Sequence, residues 1–127
     1  MREMKKYQFW FCTGSQDLYG EECLKKVAAH SREMVEGLNA CGALPYELVW
    51  KPTLIDQASI RRTFNEANND ENCAGVITWM HTFSPAKMWI IGLQEYHKPL
   101  CHLHTQYNEE IPYDTIDMDF MNENQSA

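Results

Sequence analysis

The sequence is poor in the features that mark several functional classes. Six glycines and five prolines in 127 residues leave no room for a collagen-like or low-complexity chain. The five cysteines, Cys12, Cys23, Cys41, Cys73 and Cys101, are odd in number, widely spaced and form no CxxC. That excludes a disulfide-dense miniprotein and fits free thiols in a reducing compartment. No apolar run approaches the ~20 residues of a membrane span. The basic residues near the start lead into only a few apolar ones at 9–12 before the polar GSQD, so no signal-peptide core is present. These absences place the chain in the cytoplasm, away from any membrane. Eleven basic against eighteen acidic residues give a net charge of −7, and the basic ones form no stripe. Phosphate backbones repel such a chain, so nucleic acid is not an expected partner.

Nucleotide and nucleophile signatures are missing as well. Gly14 and Gly20 do not make GxGxxG, no P-loop follows, and the loop they bound carries Asp17 rather than a cation. Nor does GSQ supply the carboxylates of a phosphoacceptor domain at the end of the first strand-like run. No GxSxG occurs, and Ser84 before Pro85 reads as a helix cap rather than a nucleophile.

What is present is an alternation of strand and helix patterns. Strands are expected at 7–13 (YQFWFCT), 47–51, 73–79 (CAGVITW) and 99–104 (PLCHLH). Helices are expected at 21–41, 56–69 and 87–96, with a short one at 114–122. In the strands, Cys12, Cys73 and Cys101 read as small buried hydrophobes. This βαβαβαβ order predicts an α/β domain over residues 1–127, a doubly wound, flavodoxin-like parallel sheet. Its four main strands should run 2-1-3-4 with helices on both faces. The apolar residues of 87–96 cover more than one stripe, which points to burial against another subunit or domain. After 116–124 the chain stops without a fifth strand, as if cut.

Ligands of open parallel sheets bind outside the carboxyl ends of the strands, where strand order reverses. Here that is between the first and third strands. The loops GSQDLYG (14–20), MHTFSP (80–85) and TQYNE (105–109) should share that edge. Between them they carry Ser15, Gln16, Tyr19, His81, Thr82, Gln106 and Asn108, with Leu18 and Phe83. Neutral hydrogen-bonding groups beside an aromatic face suit a polyol or sugar better than a phosphate; the alternative is ordinary loop residues capping helices. His102 and His104 share a strand face and His81 could join them, so a three-histidine metal site is a further alternative.

The segments GSQDLYG, WMHTFSPAKMWI, HLHTQYN, IDMDFMN and NQSA together resemble the amino-terminal domain of bacterial L-arabinose isomerase, in register from Tyr7 onward. Asp17 departs from the pattern, since many members carry His there. The resemblance implies an aldose–ketose isomerase of arabinose catabolism, usually manganese-dependent, that moves a proton between adjacent carbons of the opened sugar. It implies metal ligands, two Glu and two His, in a later part of a longer chain, so no Mn²⁺ is expected on residues 1–127 and the chain alone should be inactive. It further implies a homo-oligomer in which this domain contacts other subunits and lends sugar-contacting residues to a neighbour's metal centre. By motif those residues are Gln16, Leu18, Tyr19, Phe83 and Gln125. The amides and Tyr19 would bond sugar hydroxyls, and Leu18 and Phe83 would wall the pocket. The competing reading is a stand-alone α/β sugar-binding or assembly module without enzymatic activity, with a flavin-binding flavodoxin third.

Overall fold

A computed structural model describes residues 6–110, 113–115, 117 and 118. Four strands, β1 (Gln8–Gly14), β2 (Glu47–Trp50), β3 (Cys73–Met80) and β4 (Leu100–Leu103), form one sheet in the order β2-β1-β3-β4, every pairing parallel. This is the order expected from the alternation of patterns. Three helices connect the strands: α1 (Gly20–Ala40), α2 (Gln57–Asn69) and α3 (Ile90–Glu95). The expected helix at 114–122 falls largely on residues outside those described.

β1, β2 and β3 split their side chains between two cores, because successive residues point to opposite faces. Trp10, Cys12, Val76 and Met80 pack with Ile60, Phe64 and Ala67 of α2 and with Trp89. Phe11, Leu48 and Trp79 pack with Val35 of α1, flanked by Met34 and Leu38. Helices therefore cover both faces, α1 on one and α2 with α3 on the other. Burying a side chain of this size contributes on the order of 1.5–3 kcal/mol, so these two layers carry most of the driving force.

Local chemistry sets the helix ends. Glu21 and Glu22 stand in the first turn of α1, where the helix dipole favours negative charge. Gly42, at φ 72°, closes its far end in the left-handed conformation that glycine adopts without strain. Asp56 caps α2 through a capping box. The Ser59 amide donates to Asp56 Oδ1 at 2.7 Å and the Asp56 amide donates to Ser59 Oγ at 3.2 Å. At the edge of the sheet, the Asn39 amide stands in for a strand neighbour. It donates to the Leu48 carbonyl and accepts from the Leu48 amide, both at 2.9 Å.

Three expectations change. The helix read at 87–96 is a 3-10 turn at Ala86–Trp89 followed by the short α3. Ser84 does not cap it; its Oγ accepts the Trp89 indole N–H at 2.9 Å. Trp89 is buried against Phe64, and a buried indole donor needs an acceptor more than an exposed helix end does. Cys101 is exposed rather than a core residue, because among the described residues β4 is paired on one side only. Cys12 and Cys73 are buried as expected.

Candidate functional site

Gly14 ends β1 at the point where strand order reverses. A Cβ there would collide with Met80 Sδ and stand 2.8 Å from the Trp89 ring, so glycine leaves the room these two side chains take over the end of β1. The chain then turns over Leu54, the Ser15 amide donating to the Leu54 carbonyl at 3.0 Å. Asp17–Tyr19 form a 3-10 turn, and Gly20, at φ 83°, leads into α1.

The loops after β1 and β3 are tied together by their own side chains. The Ser15 and Thr82 hydroxyls, both fully buried, hydrogen-bond at 2.5 Å. Gln16 Nε2 donates to the Tyr19 phenol oxygen and to the Phe83 carbonyl, each at 3.2 Å. Leu18 is 82% exposed and Phe83 44%, so two apolar side chains stand in solvent beside an amide and a phenol. Of the five expected sugar contacts, Gln16, Tyr19 and Phe83 are thus joined at the topological switch point, and Leu18 sits on the same turn. Gln125 lies outside the described residues.

Beside this grouping is a cavity of about 280 Å³ between the first half of α1 and the loop after β3. Tyr19, Cys23, Lys26, His30 and His81 are among the residues that line it. His30 Nδ1 and His81 Nε2 are 2.7 Å apart, so one ring donates to the other. Rings stack around the pair. His81 lies 4.9 Å from the Trp79 ring, and Tyr107 lies 3.8 Å from His30 at an interplanar angle of 3°. The Tyr107 hydroxyl donates to Glu33 at 2.7 Å, and the Trp79 indole donates to the Thr105 carbonyl at 2.9 Å. The third loop, at 105–109, therefore meets α1 and His81 of the loop after β3 at one edge of the sheet.

Burial governs the electrostatics here. Desolvation pushes His81 down from 6.5 to about 4, with the neighbouring His30 adding to the shift. Desolvation also lowers His30, opposed by Glu33 and assisted by Lys26. The Tyr107 phenol is raised by its bond to Glu33. Both imidazoles are consequently neutral at pH 7.

The three-histidine alternative does not assemble. His81 is committed to His30, and His102 Nδ1 bonds the Thr78 hydroxyl at 2.9 Å. Among the described residues, no three His, Cys, Asp or Glu side chains are grouped to hold a metal ion, so a divalent cation does not fit the donors present. No helix among these residues is long and apolar enough to cross a membrane.

His30, Glu33 and Trp79 were not singled out by the sequence reading, and Tyr107 entered it only as part of a loop. For His30 a usable signal exists: it lies three residues after Val27 on α1, beside the buried stripe, on a helix that starts at the switch-point loop.

Comparison with known proteins follows the same lines. A sequence model of the L-arabinose isomerase N-terminal domain matches residues 3–127. The L-arabinose isomerase of Clostridium beijerinckii is 61% identical over 127 residues, covering 100% of this chain and 26% of that protein. That of Shouchella clausii is 62% identical over the same span, and that of Phocaeicola vulgatus 62% over 122 residues, 96% of this chain and 24% of the relative. The chain spans about a quarter of the length of these relatives. It belongs to the L-arabinose isomerase N-terminal domain family.

Proposed function

We propose that this chain is the substrate-capping and subunit-contact domain of an L-arabinose isomerase, acting in the conversion of L-arabinose to L-ribulose and inert by itself. The observation that carries the reading is the grouping of side chains at the switch point. There Gln16 bridges the Tyr19 phenol and the Phe83 carbonyl while Leu18 and Phe83 stand exposed. A sugar offers hydroxyls on its edges and C–H groups on its faces. The Gln16 amide oxygen and the Tyr19 phenol would bond the hydroxyls, and Leu18 and Phe83 would cover the C–H faces. Gln125 completes the set by its motif.

Isomerisation needs a proton moved between adjacent carbons and the two oxygens held and polarised. The described residues offer no donor cluster for the Mn²⁺ of the family. In this reading the ion and the proton-carrying groups belong to the rest of the enzyme, and this domain orients the sugar and excludes water. Subunit contact is supported by Ile90, Ile91 and Leu93, which are 50%, 36% and 38% exposed along one short helix.

The test is a titration of the isolated chain with L-arabinose, read by NMR at Gln16, Tyr19 and Phe83, beside a measurement of its size in solution. A domain that completes another subunit's site should show no saturable sugar binding alone. Saturable binding by a monomer would overturn the proposal in favour of a stand-alone sugar-binding module.

A further inference from the structure

Three consecutive residues of the loop after β3 are tied elsewhere, one to α1 and two to the loop after β1. His81 bonds His30 on α1, Thr82 bonds Ser15 after β1, and the Phe83 carbonyl receives Gln16. The last two tethers come from the loop that carries Gln16 and Tyr19. The first comes from the body of the domain, across 51 residues of sequence, and it is the only one fixed to a long helix. His81 is 2% exposed, its Nδ1 is buried without a hydrogen-bond partner, and its Nε2 has His30 as partner. A buried imidazole bonded at one nitrogen is held in one orientation by that bond, since turning the ring would leave both nitrogens unpaired. His30 is fixed in turn, stacked on Tyr107, whose hydroxyl is bound to Glu33 one turn further along α1.

We propose that His30 and His81 form a positioning pair for the sugar site: their shared hydrogen bond sets the loop that carries Phe83, and so the place of the wall against which the sugar rests. The inference rests on the reading of Phe83 as a sugar contact. Neither histidine touches sugar in this account; both act through the loop. Both rings are neutral, so a single N–H is shared, and an amide at the His30 Nδ1 position can replace it.

The experiment joins this chain to the remaining three-quarters of the Clostridium beijerinckii relative and measures L-ribulose formation with Mn²⁺ present. Three variants are compared with the parent. His30→Phe keeps a ring to stack on Tyr107 but cannot bond His81. His30→Asn places an amide where Nδ1 stood. Phe83→Ala removes the wall. His30→Phe should raise KM for L-arabinose roughly tenfold with kcat within about twofold, because the wall contacts sugar equally in the ground and transition states. His30→Asn should bring KM back to within about threefold of the parent. NMR of the isolated His30→Phe chain should show the Phe83 ring resonances shifted and the other core resonances in place. A raised KM for Phe83→Ala with an unchanged KM for His30→Phe would overturn the positioning pair and leave the sugar reading standing. An unchanged KM for Phe83→Ala would overturn the sugar reading and the inference with it. A His30→Asn variant no better than His30→Phe would also refute the pair, since packing rather than the hydrogen bond would then set the loop.

Discussion

Acidification from pH 7 to 5 should cost this domain stability through one buried histidine. His81 sits at about 4 in the folded chain against 6.5 ordinarily, because burial disfavours its charged form. A histidine depressed by folding binds its proton more readily in the unfolded chain. Its contribution to stability is therefore full above pH 6.5 and is lost as pH falls from there toward 4. The shift of about 2.5 units corresponds to about 3 kcal/mol once the loss is complete, of which about 2 kcal/mol is gone by pH 5. For a domain of this size that is a drop of roughly 8 °C in Tm. His30, lowered for the same reason, adds in the same direction. The depressed carboxylates do not confuse the window. Asp56 and Glu95 are held down by hydrogen bonds from Ser59 and Arg61 respectively, and their stabilisation fades only as pH falls below their ordinary 3.8 and 4.5. The assay is Tm by circular dichroism at half-unit steps from pH 7.5 to 5, for the natural chain and for His81→Gln. Glutamine can still bond His30 but does not titrate, so its curve should be visibly flatter. Parallel losses in the two proteins would refute the assignment of the acid sensitivity to His81.

Three further outcomes are expected. Gly14→Ala should destabilise the chain by about 1–3 kcal/mol in urea unfolding, because its methyl would collide with Met80 and Trp89, and an unchanged midpoint would contradict that close approach. Ser84→Ala should cost about 1–3 kcal/mol by leaving the buried Trp89 indole without its acceptor, which is more than loss of a solvent-exposed cap at this loop would cost. Asp56→Ala should cost about 1 kcal/mol and speed amide exchange in the first turn of α2; unchanged exchange there would show that the capping box is not what holds that turn.

The sheet was legible because strand and helix periods alternate cleanly and leave one handed arrangement for the crossovers. That arrangement also brings the loops that carry Gln16, Tyr19 and Phe83 to one edge. What the sequence hid was set by partners far away along the chain. His30 looks like a surface residue of α1 until His81 and Tyr107, 51 and 77 residues later, close on it. Ser84–Pro85 carries a local cap signature, yet the buried Trp89 indole takes the serine oxygen and the first turn tightens into a 3-10 turn. Cys101 sits in an apolar run, and a run does not say which strand will lie at an edge.

In the proposed function this chain shapes a sugar site whose reactive centre lies in another part of an L-arabinose isomerase. Ketose formation from L-arabinose with added Mn²⁺ tests it most directly, first by the 127-residue chain alone and then by the chain mixed with the remaining three-quarters of a relative. L-ribulose should form only in the mixture. Turnover by the chain alone would contradict it.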